Sequence, residues 1–381
     1  MMDSLLYCLL VIAAYPYIIY PLLSFLLSLF KNIPVYPPIY PSVTVLIAAY
    51  NEIDCIRQKL DNTFGLHYPS DKLEVIVVTD GSTDGTDVAV ATDGRAKLLH
   101  DTKRKGKAGA INGALGLIKT QIVVCTDANT MLNKEALAAL VTYFQDSNIG
   151  AVAGEKRVVG IPFSDDIPSE AFYWKYESTV RYWDSKIFSV TGAAGELYAI
   201  RTALLRPIPE DTICEDLLIT MRVIEEGKRV VYEPLAYGTE HISPTIHDEW
   251  KRKLRIAAGG FQFFQRMKLW SFCTRQPVAA FQFISRKLFR WLIVPYILLL
   301  MFPLSVFLVF NSNDNFIQLI SIIQLLLYGW AAFGYCYNRN QHRSGLVYFP
   351  FYFLMANIAI IAGTFQYVKG KSFILWEKAK R

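Results

Sequence analysis

Uncharged apolar runs at both ends of this chain require it to fold in two solvents. Residues 5–30 carry no charged side chain, and a helical run of that length spans about 30 Å of hydrocarbon. Pro16 and Pro21 mark where it kinks. No basic stretch precedes the run and no small-residue cleavage site follows it, so it reads as an anchor and not as a signal peptide. Residues 288–310, 316–335 and 347–368 are three further candidate spans, each also apolar enough to serve as a buried core helix. Trp291, Trp330, Tyr348 and Tyr367 stand near their ends, as interfacial aromatic residues do. With 53% hydrophobic residues and a mean hydropathy of +0.26, the chain is too apolar for an ordinary soluble protein. Its middle is too charged to lie in lipid.

Charge orients the spans. No acidic residue occurs from Lys251 to Asn313, and basic residues from Lys251 to Arg290 lead into the first late span. By the positive-inside rule that side is cytoplasmic. The 311–315 connection, with only Asp314, reads as external, and the 337–346 loop, with Arg339 and Arg343, as internal. The tail conflicts with this count. Three complete late spans would carry it outside, yet Lys369, Lys371, Lys378, Lys380 and Arg381 make it basic. Either the last apolar segment dips into the membrane and returns, or the tail tolerates the other side. The net charge of +6 gathers beside the spans, where anionic lipid headgroups explain it better than nucleic acid. Cysteines 8, 55, 125, 214, 273 and 336 show no paired spacing, which suits a reducing compartment and argues against a zinc site.

Between Pro41 and Trp250 the chain alternates strand and helix. Runs 42–49, 73–79, 97–99 and 122–126 are short and β-branched, and helical patterns at 52–64, 84–92, 106–118 and 133–145 separate them. The pattern predicts a mostly parallel sheet flanked by helices, whose active groups gather at the carboxyl ends of strands. Three such ends carry carboxylates: Tyr50-Asn51-Glu52, Asp80-Gly81-Ser82-Thr83-Asp84-Gly85, and Asp127-Ala128-Asn129. Any one could be a solvated loop; together they place oxygen ligands suited to Mg²⁺ or Mn²⁺ where open α/β sheets bind nucleotides. Arg104-Lys105-Gly106-Lys107-Ala108-Gly109 adds a basic loop opening a helix, which is either simply solvated or a cradle for a diphosphate. Its spacing matches neither a Walker A loop nor Gly-x-Gly-x-x-Gly.

These motifs occur in the order found in the membrane-integrated family 2 glycosyltransferases, the group of hyaluronan, cellulose and poly-N-acetylglucosamine synthases, which the chain resembles over nearly its whole length. The resemblance rests on Ala49-Tyr50-Asn51-Glu52, Asp80 to Thr86, Gly106-Lys107-Ala108 with Asn112, Asp127-Ala128-Asn129, Gly192 with Gly195-Glu196-Leu197-Tyr198-Ala199-Ile200-Arg201, and Glu215-Asp216, running on to Trp376-Glu377-Lys378. It implies a GT-A catalytic domain, Rossmann-like with a mostly parallel sheet and transmembrane helices at both ends, that uses a nucleotide-diphosphate sugar, usually UDP-linked, with Mg²⁺ or Mn²⁺. The expected division is a transmembrane helix over 1–31, a catalytic domain over 42–250, interfacial amphipathic helices over 251–286, about three transmembrane segments over 287–368 and a basic tail over 369–381.

The resemblance also implies roles. Glu52 and Asp80 would meet the nucleoside, with Lys107 nearby; Asp127 and Asn129 would hold the metal; Asp216 would be the general base. Read without the family, Asp216 is equally an acid at a helix N-terminus, and Glu215 is a partner of the acceptor side or a plain cap. Two departures matter. Asn129 stands where a second Asp is common. The Gln-x-x-Arg-Trp motif of processive members aligns with Arg252-Lys253-Leu254-Arg255-Ile256, which keeps Arg255 for the diphosphate, puts Arg252 for Gln and loses the acceptor-stacking Trp. Trp250 is the aromatic candidate to replace it on the acceptor side. The expected activity is inverting transfer to a membrane-associated lipid or lipid-linked glycan, with processive polysaccharide synthesis as the alternative. A silent nucleotide-sugar-binding subunit has no need of the base, and a transporter would carry more charge in its spans.

Overall fold

The computed structural model describes residues 2–159, 169–241, 245–338 and 345–375. The expectations for Arg339, Arg343, the side chain of Tyr348 and residues 376–381 lie outside them.

Eight strands form one sheet: β1 (Val43–Ala49), β2 (Leu73–Asp80), β3 (Lys97–Asp101), β4 (Ile122–Asp127), β5 (Met131–Leu132), β6 (Ile149–Val159), β7 (Leu197–Arg201) and β8 (Arg229–His241). Their order is β3-β2-β1-β4-β7-β6-β8-β5. The first four are mutually parallel, β7 runs antiparallel to β4 and β6, and β6 and β8 are parallel. The mostly parallel sheet expected from the alternating pattern is present. Both faces are covered, which is why β1, β2 and β4 read as continuous apolar runs. Leu46, Ile76, Val78 and Val123 face one cluster, and Val45, Ile47, Val77 and Val124 face the other. Parallel pairing aligns the carboxyl ends of β1, β2 and β4, with Ala48 opposite Asp127.

Among the described residues, four helices are long and apolar enough to cross a membrane: Met2–Ser28, Pro277–Asn311, Asn315–Tyr337 and Phe349–Val368. The first passes through a π-helical stretch at Tyr15–Ile19, where Pro16 removes a backbone donor. The second begins at Pro277, ten residues before the boundary expected at 287. Within the stretch expected as interfacial, 251–286, the separate helices before it are Ile246–Arg266 and Leu269–Arg275. Arg286, Lys287 and Arg290 lie inside this longer helix, and carboxylates of the Ser169–Ile187 helix absorb the two guanidiniums. Arg286 bridges Asp184 Oδ2 at 2.7 Å and Glu177, and Arg290 meets Glu177 Oε2 at 2.8 Å. Tyr20 and Ser24 of the first helix donate to Asp184 Oδ1 at 2.6 and 2.8 Å, so this knot joins two apolar helices to the sheet domain.

The last helix, Gly345–Val368, lies along Ile246–Arg266. Tyr352 Oη donates to Glu249 Oε1 at 3.0 Å, a Cβ at Gly363 would meet Leu254 O at 2.5 Å, and the Phe261 and Tyr367 rings pack 6.0 Å apart.

Candidate functional site

The site grows from the strand ends. Asp80 closes β2 almost fully buried and spends both oxygens on the basic loop, accepting from the N–H of Lys105 at 2.6 Å and of Gly106 at 2.8 Å. This anchors the start of the Gly106–Ala114 helix. Gly106 has φ +82, which glycine adopts without cost, and a Cβ there would stand 3.1 Å from the Ile374 carbonyl. After β1, Asn51 (φ 54) accepts from Thr83 N–H at 2.8 Å. The N–H of Glu52 donates to Thr86 Oγ1 at 2.8 Å, while its carboxylate accepts from Cys55 Sγ at 3.2 Å. Burial alone would raise the Asp84 carboxyl, but hydrogen bonds from Thr86 and Ile53 outweigh it and hold it below the usual range. The β1 and β2 ends are thus stitched to one another.

Lys107, one residue into that helix, carries the centre of the site. Its Nζ lies 2.5 Å from Asp127 Oδ1 at the end of β4 and 3.1 Å from Glu215 Oε1 at the start of the Glu215–Glu225 helix. It also donates to Gly195 O at 3.3 Å. A Cβ on Gly195 would sit 3.0 Å from that ammonium and 3.5 Å from Asp216 Oδ2, so a side chain there would crowd the lysine. Burial works against the Lys107 charge, yet Asp127 and Glu215 outweigh it and hold the ammonium well above lysine's usual range. Burial would also raise Glu215, but Lys107 and Arg255 pull it below. Asp127 goes up, because burial and the charges of Glu240 and Glu196 exceed what Lys107 returns. Asp216 is pushed to about 6, by burial and then by the neighbouring Glu215.

The remaining expected residues fall nearby or behind. Arg255, on the Ile246–Arg266 helix, acts on Glu215 and Cys214 through its charge and makes no ion pair or hydrogen bond among the described residues. Arg252 is engaged by Glu249 Oε2 at 2.7 Å. Trp250 packs with Tyr352, Met355, Tyr173 and Phe351. Asn129 is half-buried in the turn after Asp127.

A second ionic layer was not anticipated. Lys156 binds Glu196 and, at 2.8 Å, Glu240 Oε2; Thr130 donates to Glu240 Oε1 at 2.7 Å. Lys59, fully buried, donates to Thr126 Oγ1 at 3.0 Å and Thr130 O at 2.5 Å, and burial lowers it to about 7. The signal for Lys59 was present: it shares a helix face with Ile56, Leu60 and Thr63, all buried. These groups brace the turn that carries Asp127.

Among the described residues no three His, Cys, Asp or Glu side chains converge as a metal cage. Asp127 with the Asn129 carbonyl is a sparse oxygen set. Such a set fits a small divalent ion that takes most of its ligands from substrate phosphates and water.

Residues 44–207 match the description Glycosyl transferase family 2. The chain is 28% identical over 251 residues to a poly-beta-1,6-N-acetyl-D-glucosamine synthase of Staphylococcus aureus, covering 59% of this chain and 57% of that protein. It is also 28% identical over 235 residues to the probable glycosyltransferase YdaM of Bacillus subtilis, covering 58% and 55%. The chain therefore spans little more than half the length of these relatives. Among solved structures, the mannosyltransferase PcManGT from Pyrobaculum calidifontis in complex with GDP-Man and Mn²⁺ superposes with a TM-score of 0.74 at 24% identity, covering 98% of this chain and 100% of that one. At that identity the likeness establishes the fold, a GT-A domain carried on apolar helices. The matched residues 44–207 hold the three strand-end carboxylates and the Lys107 loop.

Proposed function

We propose that this chain is an inverting glycosyltransferase that moves a sugar from a nucleotide-diphosphate sugar, UDP-linked, to a lipid or lipid-linked glycan at the membrane. The observation that carries the reading is the convergence of Lys107, Asp127, Glu215 and Asp216 around Gly195 at the carboxyl ends of the parallel strands. Glu52 and Asp80 shape the nucleoside end, Asp80 by fixing the Lys105–Gly106 backbone. Lys107 and Arg255 present positive charge to the diphosphate; the guanidinium offers the paired donors that phosphate oxygens accept. Asp127 and Asn129 would hold Mg²⁺ or Mn²⁺ together with the diphosphate, and such an ion supplies neutralisation of the departing nucleoside diphosphate.

Asp216 is the general base. A carboxyl near 6 is ionised at neutral pH yet basic enough to take the acceptor hydroxyl proton as the new bond forms. A single displacement inverts the anomeric centre, so an α-linked donor gives a β product. Ile256 and the Glu249-engaged Arg252 leave the acceptor without the stacking tryptophan of processive enzymes, which supports short addition. The staphylococcal relative's printed name favours a second reading, polysaccharide extension.

The test is incubation of the purified full chain with a panel of UDP- and GDP-sugars and Mn²⁺ or Mg²⁺, scored for nucleotide release and product size. Transfer should require the ion and vanish in Asp127→Ala while the protein stays folded; wild-type turnover by that variant in chelator would sink the assignment. A small, solvent-extractable product supports the first reading, a large retained polymer the second. The basic stretch from Lys251 to Arg290 supports a cytoplasmic catalytic domain, so a cysteine placed at exposed Ser147 should resist an impermeant thiol reagent in intact cells.

A further inference from the structure

We infer that residues 369–375 lie on the catalytic domain's side of the membrane, where Ile374 acts as a positioning residue for the Gly106 loop, and that the apolar Gly345–Val368 helix does not cross. Three observations carry this. First, the helix keeps company along its length with Ile246–Arg266, through Tyr352 with Glu249, Gly363 with Leu254, and Phe261 with Tyr367. That partner is too charged to cross, with Lys251, Arg252, Lys253 and Arg255 packed into about one and a half turns, and its far end is tied to the catalytic domain. Gln262 accepts from Ile213 N–H at 3.0 Å and donates to Asp211 O at 2.8 Å, and Arg266 pairs with Asp211.

Second, the chain beyond the helix lies over the catalytic domain. Lys371, Ser372, Phe373 and Ile374 share a cavity of about 400 Å³ with Asp211 and Gln262. Ile374 also touches the Gly106 turn, its carbonyl 3.1 Å and its Cγ2 3.3 Å from where a Cβ would stand. Third, with the Pro277–Asn311 and Asn315–Tyr337 helices crossing out and back, the last helix starts on the catalytic side, and the distances then forbid it to cross. From Val368 to Ile374 a fully extended chain reaches only about 20 Å, short of the roughly 30 Å hydrocarbon core it would have to recross. The three remaining apolar helices then make an odd number of crossings. The basic residues Lys369 and Lys371 come to rest with Lys251 to Arg290, and the conflict between charge and span count disappears.

Gly106 is held from one side by Asp80 and from the other by Ile374. The tail thus completes the backbone cradle at the helix N-terminus; this half of the inference rests on the nucleotide-binding reading, and the topology does not.

The experiment has two arms on the full chain. Single cysteines at exposed Ser372, Ser147 and Asn313, in a background lacking Cys8 and Cys336, are treated with an impermeant maleimide in sealed and opened vesicles. Positions 372 and 147 should label together and 313 in the opposite class; position 372 labelling with 313 overturns the topology. In the second arm, UDP and GDP binding is measured by calorimetry. Ile374→Asp should weaken binding about five-fold or more, a disturbance of about 1 kcal/mol, with Ile374→Val restoring it and kcat at saturation unchanged. Unaltered affinity in Ile374→Asp overturns the positioning role. Absence of nucleotide binding in the unaltered protein would instead count against the proposed function, while the labelling still decides the side.

Discussion

The knot between Glu177, Asp184, Arg286 and Arg290 and the cluster around Lys107 are both ionic and both largely withdrawn from water, but they are compensated very differently. In the knot every carboxylate oxygen has a donor: Arg286 and Arg181 on Glu177 Oε1, Arg290 on Oε2, Tyr20 and Ser24 on Asp184 Oδ1, Arg286 on Oδ2. Three guanidiniums hold Glu177 well below the usual carboxylate range against its burial. Around Lys107 a single ammonium serves Asp127 and Glu215, and Asp216 is left without an ion pair among the described residues. The first arrangement is a joint. The second has acid in surplus, which is what a site awaiting a metal ion and a hydroxyl proton requires.

The comparison breaks first on Asp216. Asp216→Asn should lower kcat by about two to four orders of magnitude, the scale of general-base catalysis, with UDP affinity within a few-fold of the unaltered protein. Loss of nucleotide affinity with turnover intact at saturation would move Asp216 to the donor. In the unaltered enzyme the acid limb of kcat/KM should fall below about pH 6.

The knot should respond in stability and not in chemistry. Asp184→Ala leaves Arg286 short of a partner in a buried setting and should cost about 3 kcal/mol or more, read as a lower melting temperature in detergent. Replacing Asp184 and Arg286 together with apolar residues should recover most of that loss. If the single change leaves melting untouched but abolishes transfer, the knot is no joint.

The smallest effect sharpens the contrast. The Asp216 carboxyl binds its proton more tightly folded than unfolded, so it withdraws stability as pH rises from about 4 to about 6. Asp216→Asn should therefore stabilise the protein at pH 7 by on the order of 1 kcal/mol, allowing for partial exposure, and by nothing at pH 4. Equal melting at pH 7 would show that the acid surplus is already relieved.

The legible half of the fold is the parallel one. Strands β1, β2 and β4 are buried on both faces, so they appear as apolar runs ending in turn residues and carboxylates. Strands β6 and β8 escaped reading because they carry buried Lys156, Glu233 and Glu240 and pair through a register shift at Gly154/Glu155. Lys156 and Glu240 satisfy one another across the sheet, and Glu233 accepts from Tyr143 Oη, pairings that no one-dimensional pattern reveals. The start of the Pro277–Asn311 helix was hidden for the same reason: Arg286 and Arg290 look forbidding until Glu177 and Asp184 arrive from over a hundred residues away. At the site, Asp127 and Asp216 stood out as strand-end and helix-start acids. That Lys107 bridges Asp127 and Glu215, and that Gly195 makes room for it, depended on where β7 places its preceding loop.

The most direct test of the acid-surplus cluster as a donor and metal site is titration of the purified protein with Mn²⁺, with and without saturating UDP. One carboxylate and one amide cannot hold the ion tightly alone, so binding should be weak without nucleotide, strong with it, and absent in Asp127→Ala. Tight Mn²⁺ binding without nucleotide, or undiminished binding in Asp127→Ala with UDP present, would contradict the account.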